Sequence, residues 1–142
     1  MNVKAILKEK GNDVFTVGPK ATVAEVAGIL RQHHIGAVVV VDDSHRIVGI
    51  IAERDIVGAV ADTGADCLGQ PISDVMWSNV YRCTEDMSTE NLMQMMSSRR
   101  ARHIPVERDG RLVGIISIGD VVKAHIRAIE NEAEHIKAYI AG

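Results

Sequence analysis

One pattern occurs twice in this sequence, and the repeat constrains the possible fold more than any other feature. Residues 46–51, RIVGII, are followed after three residues by Asp55, and residues 111–116, RLVGII, are followed after three residues by Asp120. The offset is therefore 65 residues, from 46 to 111 and from 55 to 120. Upstream it becomes 66, and the matched pairs are Val26 with Leu92, Leu30 with Met96 and Val40 with Val106. The chain is two copies of one structural unit whose hairpins differ by one residue.

The hydrophobic pattern within each copy predicts a β-α-β-β-α unit. Thr22 and Glu25 form a capping box that opens a helix, and apolar residues then recur at helical spacing. Residues 37–41 are continuously apolar and β-branched, as expected of a strand covered on both faces. A polar turn joins them to a second strand over residues 47–51, and residues 55–60 begin the second helix.

The two units predict an α/β (α+β) fold in which they pack face to face about a pseudo-twofold axis. A unit of roughly 60 residues buries too little surface to be secure alone. The predicted boundaries are residues 1–63 for the first unit, 64–73 for a linker, 74–124 for the second unit and 125–142 for a C-terminal helical extension. Residues 72–76 are expected to bring the chain into the second unit.

Composition argues against several classes of function. A formal net charge of −3 and an aromatic content of 3% give neither a strong attraction to nucleic acid nor stacking platforms for single strands. No apolar run suits a signal peptide or a membrane span, which predicts a cytoplasmic protein. Cys67 and Cys83 are interpreted as a small apolar filler and a strand residue. The histidines do not suggest a metal site, and no nucleophile, base and orienting group suggest an enzyme.

Several segments resemble the CBS-domain family, whose tandem pair is often called a Bateman module. They are the Thr16-Val17-x-Pro19 stretch, residues 102–106 (RHIPV), the two Gly-Ile-Ile-x-x-x-Asp turns that end at Asp55 and Asp120, and residues 74–76 (DVM). The resemblance extends from about Val14 to Val122. It implies an intracellular energy or metabolite sensor whose clefts bind an adenosine compound such as AMP, ADP, ATP, NAD or S-adenosylmethionine, without a catalytic cofactor.

The turn into the last helix is the first candidate for a nucleotide site. Ser117 and Asp120 stand at a helix N-terminus, where free N–H groups can hold an anion. An ionised aspartate accepts hydrogen bonds from ribose hydroxyls, and arginine binds two phosphate oxygens at once. The residues predicted for sugar and phosphates are Ser117, Gly119, Asp120, Arg54, Arg82, Arg99, Arg100, Arg102 and His103, and those for adenine are Met87, Ala101, Ile104 and Pro105. The alternative is an ordinary helix cap beside a solvated basic turn.

The first unit provides a matching second site. In family terms its residues are Thr16, Ala21, Ile35, Gly36, Ala37 and Asp55. Ala52 stands where the second unit has Ser117, so one polar contact is missing from the first site. We therefore predict unequal sites, with the Ser117 and Asp120 site tighter and the Asp55 site weak or empty.

A helical pattern continues beyond Asp120, and its apolar residues step alternately by four and three. This spacing predicts a coiled-coil seam of nearly three heptads. Its members are Val122, Ile126, Ile129, Ala133, Ile136 and Ile140. The stretch beyond Ile129 extends past the predicted units, which leaves its apolar stripe uncovered. We therefore expect this stretch to pair with a second copy in a homodimer. A different partner protein could bind the same stripe.

Three functions compete at this point. The first is an adenine-nucleotide sensor, in which an adenosine-containing ligand shifts the packing of the two units and so regulates an unknown partner protein. The second is a ligand-free interaction scaffold, which Ala52 favours and Asp120 opposes. The third is nucleic-acid binding through Arg99, Arg100 and Arg102, which the net charge of −3 makes the least favoured.

Overall fold

The computed structural model describes residues 1–141, and its elements follow the order that the repeat predicts. In chain order they are α1 (Val3–Lys10), β1 (Thr16–Val17), α2 (Val23–His33), β2 (Ala37–Val41), β3 (Ile47–Ala52), α3 (Glu53–Thr63), the 3₁₀ helices Gly64–Gly69 and Ile72–Asp74, α4 (Thr89–Arg99), β4 (His103–Arg108), β5 (Arg111–Ser117) and α5 (Ile118–Ala141).

The two sheets confirm the β-α-β-β-α repeat. In the first unit β1 pairs parallel with β2 and β2 pairs antiparallel with β3. In the second unit β4 and β5 form the hairpin, and the first strand is reduced to one parallel bridge between Cys83 and Val106. That bridge lies 66 residues after the pairing of Val17 with Val40. The two units are therefore equivalent in topology, although the second has the shorter sheet.

Local sequence signals account for the start of α2 and for the difference between the hairpins. The predicted capping box is present, since Glu25 N–H donates to Thr22 Oγ1 at 3.1 Å and Thr22 N–H donates to Glu25 Oε2 at 3.3 Å. In the first hairpin Asp42 Oδ1 accepts from two backbone N–H groups of the turn. The second hairpin turns on Asp109 and Gly110, which both have positive φ angles and allow a tighter reversal.

Two segments exchange places between the units, which the sequence did not predict. Helix α1 precedes the first repeat, yet Val3, Ile6 and Leu7 are buried in the core of the second unit. Conversely, the segment 72–76 was expected to enter the second unit, but Ile72 and Met76 pack in the core of the first. Each segment fits into the space that a glycine leaves in the sheet against which it packs. A Cβ built on Gly114 would lie 2.8 Å from Leu7 Cδ2, and one on Gly49 would meet Met76 in the same way.

The region between the units is ordered and partly buried. Of the segment predicted as a linker, 64–73, the side chains of Cys67 and Ile72 are fully buried. A separate apolar group joins the two sheets, and its buried members are Val39, Val41, Ile47 and Leu112. Leu112 N–H also donates to the His45 carbonyl across this interface at 3.2 Å. The units therefore pack face to face, as the sequence predicts.

Helix α5 leaves the second unit after its first turns. Val121 and Ala124 are its buried residues, and every residue from 125 to 141 is exposed. Gly142, the last residue of the predicted extension, lies outside the described residues. Within residues 1–141 no helix combines the length and the apolar character needed to cross a membrane.

Candidate functional site

The main candidate site is a cleft between the two units, with a volume of about 500 Å³. The first unit contributes the start of β2, the end of β3 and the first turn of α3, while the second contributes the end of α4 and the start of β4. The lining residues are Gly36, Ala37, Ile50, Ala52, Glu53, Arg54, Asp55, Trp77, Val80, Tyr81, Arg99, Arg100, Ala101, Arg102 and His103. A volume of this size is typical of small-molecule sites.

Asp55 presents a carboxylate to this cleft from the first turn of α3. Its Oδ2 atom accepts a hydrogen bond from Ala52 N–H at 2.8 Å, which fixes the side chain against the end of β3. Within residues 1–141 no other hydrogen bond or ion pair engages this carboxylate. Asp55 therefore has acceptor capacity left for the donor groups of a ligand.

Arginine side chains from the second unit face Asp55 across the cleft. Helix α4 ends at Arg99, and Arg100 takes a left-handed conformation with φ 53° that redirects the chain towards the first unit. Arg54 Nη2 donates to the Arg100 carbonyl at 3.4 Å, and the Arg99 guanidinium lies 5.2 Å from the Tyr81 ring centre. With Arg102, four guanidinium groups line the cleft against the two carboxylates of Glu53 and Asp55. The lining thus favours an anionic ligand.

His103 packs directly on the first unit at the back of the cleft. A Cβ built on Gly36 would lie 3.1 Å from His103 Cε1, so the glycine makes room for the ring. Burial lowers the pKa of His103 below its ordinary value, and the positive charges of Lys10 and Arg102 lower it further, whereas Asp120 and Glu53 act in the opposite direction. The imidazole is therefore a neutral group at pH 7.

Ser117 and Asp120, the residues predicted to form the tighter site, lie outside this cleft and form a capping box. Ser117 N–H donates to Asp120 Oδ2 at 2.8 Å, and Asp120 N–H donates to Ser117 Oγ at 3.2 Å. Asp120 Oδ2 also pairs with Lys10 Nζ at 2.5 Å. Burial raises the pKa of Asp120, but the hydrogen bonds from Lys10 and Ser117 and the charge of Lys10 outweigh it, so the pKa lies below its ordinary value.

The structure divides the predicted site residues between several places. Those that line the 500 Å³ cleft are Arg54, Arg99, Arg100, Ala101, Arg102 and His103 from the first set, and Gly36, Ala37 and Asp55 from the second. The cleft therefore combines the predicted phosphate-binding residues with Asp55 instead of Asp120.

The remaining predicted residues lie elsewhere. Gly119 is in the first turn of α5 beside Ser117 and Asp120, Arg82 pairs with Glu107 at 3.2 Å, and the Met87 carbonyl accepts from Val3 N–H. Ile104 and Pro105 are buried in β4 and do not line the cleft. Thr16 lies in β1, and Ala21 and Ile35 pack against the first core.

Five lining residues were missed by the sequence analysis. They are Ile50 and Glu53 in the first unit, and Trp77, Val80 and Tyr81 from the stretch before α4. The repeat contained a signal for two of them, since Val80 and Tyr81 match Val14 and Phe15 at the offset of 66. The equivalence is structural as well. Phe15 stacks on His33 with ring centres 4.0 Å apart, and 66 residues later Arg99 lies over Tyr81.

Comparison with known families identifies both halves of the chain. The family described as CBS domain matches residues 3–62 and again residues 72–127. A curated relative from Acidianus ambivalens, an uncharacterised protein, is 36% identical over 129 residues, which is 87% of this chain and 77% of the relative. Two further curated relatives are longer, and the chain spans 61% and 65% of their lengths.

Solved structures support the same assignment. A CBS-domain containing protein from Agrobacterium tumefaciens is 53% identical, with a TM-score of 0.85 over 88% of this chain and 99% of the other. The CBS domain pair of protein MJ0100 is 29% identical, with a TM-score of 0.79 over 88% of this chain and 95% of the other. The latter structure is a complex with 5′-methylthioadenosine and S-adenosyl-L-methionine.

Proposed function

Because this chain belongs to the CBS-domain family, we propose that it is a regulatory sensor that binds one adenine nucleotide in the cleft between its two units. The observation that carries the proposal is the position of the Asp55 carboxylate opposite the arginines of the second unit in a single 500 Å³ cleft. The family relationship makes a regulatory module the expected class, and a related CBS pair binds adenosine compounds.

Asp55 is proposed to bind the ribose. A carboxylate is acceptor-only when ionised, and the two ribose hydroxyls are donors. The hydrogen bond from Ala52 N–H orients Asp55 through one oxygen and leaves the other oxygen for the sugar. Charge-assisted hydrogen bonds of this kind contribute about 1.5 to 3 kcal/mol each. Ala52 supports the site through its backbone, so the missing hydroxyl does not remove the contact that positions Asp55.

The arginines are proposed to bind phosphates. Arg54, Arg99, Arg100 and Arg102 give the cleft two more positive than negative groups, which favours AMP, ADP or ATP over the positively charged sulfonium of S-adenosylmethionine. The apolar side chains of Ile50 and Val80, with the rings of Trp77 and Tyr81, provide a surface on which adenine can pack. This assignment reverses the order of the two sites that Ser117 and Ala52 suggested in the sequence.

Ligand binding would act through the packing of the two units. A nucleotide held by Asp55 on one side and by Arg100 and Arg102 on the other bridges both units, so it stabilises the arrangement that brings these residues together. The proposed output is a change in the surface offered to a regulated partner protein, with no chemical reaction on the ligand. The buried free thiols of Cys67 and Cys83 suit a reducing compartment such as the cytoplasm.

Isothermal titration with AMP, ADP, ATP, NAD and S-adenosylmethionine tests this proposal. We expect the nucleoside phosphates to bind, and Asp55→Ala to weaken binding by roughly 10- to 150-fold, which corresponds to the loss of about 1.5 to 3 kcal/mol. Asp62→Ala changes an exposed aspartate on the same helix and is the matched control, with unchanged affinity. A larger loss in Asp120→Ala than in Asp55→Ala would restore the order of sites predicted from sequence.

Failure of every compound to bind would favour the second candidate, a ligand-free interaction scaffold with the same fold. Binding of nucleic acid to Arg99, Arg100 and Arg102 would be detected as a salt-dependent mobility shift of labelled DNA. We expect no shift at any salt concentration, because the net charge of the chain is −3.

A homodimer is proposed through the exposed seam of α5. The seam residues Ile126 and Ile140 are 50% and 78% exposed, and they lie on a different side of the helix from the buried Val121 and Ala124. In a parallel coiled coil of two copies, position g of one helix faces position e of the next heptad in the other. With Ile126 and Ile129 at positions a and d, this places Glu132 of one copy opposite Lys137 of the other. Charge complementarity therefore favours a parallel pair.

Light scattering in solution tests the dimer. We expect the mass of two chains for the unchanged protein and of one chain for Ile129→Asp, because a charge at a core d position cannot be buried without a partner. Asn131→Asp places the same new charge on the outer face of the helix and should leave the dimer intact. A monomer in the unchanged protein at tens of micromolar would disprove the proposal.

A further inference from the structure

The two aspartates at equivalent positions of the repeat have the same backbone setting but different surroundings. Asp55 Oδ2 accepts from Ala52 N–H at 2.8 Å, and Asp120 Oδ2 accepts from Ser117 N–H at 2.8 Å. If the repeat alone decided binding, both carboxylates would be available to a ribose. Within residues 1–141 only the Asp120 carboxylate forms an ion pair with a lysine, since Lys10 Nζ lies 2.5 Å from Asp120 Oδ2.

Lys10 makes more than a surface ion pair. Its ammonium group also donates to the Ile115 carbonyl at 2.7 Å, on the strand that leads into the Ser117 turn. The side chains of Lys10 and Asp120 are 27% and 20% exposed, so solvent screens this pair less than an exposed one. The ammonium thus supplies Asp120 with the donor that a ribose hydroxyl would otherwise provide.

Lys10 is held in this position by the helix that carries it. Val3, Ile6 and Leu7 of α1 are buried in the second core, and Glu9 pairs with Arg127 of α5 at 2.5 Å. Lys10 is the last residue of α1, where a positive charge is favoured by the helix dipole. A cavity of about 270 Å³ between α1 and α5 has both Lys10 and Asp120 in its lining.

From these contacts we infer that Lys10 is a built-in occupant of the second nucleoside position and restricts the chain to one bound ligand. The inference rests on the proposed function, because it assumes that Asp55 binds a ribose. Removing the lysine side chain frees the Asp120 carboxylate and the volume beside it, so a second site opens. The ligand class for that site is a nucleoside bound through its sugar hydroxyls.

The repeat indicates which probe is suitable. The positions equivalent to Arg99, Arg100 and Arg54 of the first cleft are His33, His34 and Gly119, so the second position lacks most of the cations that would bind phosphates. Uncharged adenosine is therefore the probe for both positions. It tests recognition of the sugar and base without the phosphate contacts that differ between them.

Isothermal titration with adenosine measures the number of sites in the full chain. We expect one equivalent for the unchanged protein and two for Lys10→Ala. Lys8→Ala removes an exposed lysine from the same helix and is the matched control, with one equivalent. Lys10→Arg keeps a cation beside Asp120 and should also bind one equivalent. Two equivalents in the unchanged protein, or one in a folded Lys10→Ala, would overturn the inference.

A second measurement does not depend on the folding of the Lys10 variant. Asp55→Ala in the otherwise unchanged chain should weaken adenosine binding by roughly 10- to 150-fold, because the affected cleft is the only free position and the other is occupied by Lys10. One equivalent bound at the affinity of the unchanged chain in that variant would refute the inference while leaving nucleotide sensing intact. No binding of adenosine or of any nucleotide to the unchanged chain would refute the proposed function itself, and this inference with it.

Discussion

Replacement of Leu7 by alanine tests the exchange of segments between the two units. Leu7 is 2% exposed and packs in the core of the second unit, although it lies more than a hundred residues before the strand it touches. Its neighbour on that strand is Gly114, which has no side chain that could move into the space. We therefore expect Leu7→Ala to destabilise the protein by about 3 kcal/mol, within the usual range for a buried leucine.

The assay is reversible unfolding in urea, with thermal unfolding in parallel. A loss of about 3 kcal/mol should lower the melting temperature by roughly 10 °C for a chain of this size. Lys8→Ala on the same helix is the control, and an exposed substitution should change the free energy of unfolding by less than about 0.5 kcal/mol. An effect of Leu7→Ala as small as that of the control would show that α1 is not docked in the second core.

A double-mutant cycle separates this contact from a general effect of the helix. Gly114→Ala would place a Cβ 2.8 Å from Leu7 Cδ2, so it should destabilise the unchanged protein by about 1 to 3 kcal/mol. In the Leu7→Ala background the opposing methyl group is absent, and Gly114→Ala should have little effect. The two changes are thus expected to be strongly non-additive. Additive losses of stability would refute direct packing of Leu7 on Gly114.

Two further predictions concern groups with shifted pKa values. Burial and the charge of Lys10 lower the pKa of His103, so Lys10→Ala should raise it in an NMR titration, whereas Lys8→Ala should not. The pKa of His103 in the folded protein lies below the ordinary 6.5, so the unfolded chain takes up a proton at a higher pH than the folded chain. The free energy of unfolding should therefore decrease as the pH falls from 6.5 to the pKa of the folded state. Burial, with the charge of Glu107, raises the pKa of Cys83 to about 12. Cys83 should therefore resist alkylation at pH 8 until the protein unfolds, and rapid labelling of the native chain would contradict its burial.

Much of the fold could be predicted from the sequence because its signals are local. The capping box of Thr22 and Glu25 specifies the start of α2, and the apolar run over residues 37–41 specifies a strand covered on both faces. The repeat then transfers each assignment to the other half of the chain. The change of its offset from 66 to 65 predicts that the two hairpins differ in length by one residue. The structure confirms this difference, since the turn at Asp109 and Gly110 is the tighter of the two.

The placement of α1 could not be predicted in the same way. Val3, Ile6 and Leu7 have helical spacing, but nothing local indicates that they pack beside Gly114 in the other half of the chain. Contacts across such a separation depend on the shape of the assembled sheet. The proposed role of Lys10 beside Asp120 depends on that placement, so the sequence could not predict it either. Its partner Asp120 was recognised only as a candidate ligand-binding residue.

The structure groups the candidate site residues differently from the sequence, for a related reason. Residues 99–103 precede Ser117 and Asp120 in the same repeat, so proximity in sequence suggested one site. Face-to-face packing instead brings the arginines of the second unit to the carboxylate of the first. The repeat copies backbone positions but not side chains, since the residues that correspond to Arg99 and Arg100 are His33 and His34. Cations are therefore concentrated at the Asp55 cleft while Lys10 neutralises Asp120, and both differences favour one nucleotide site in a symmetric scaffold.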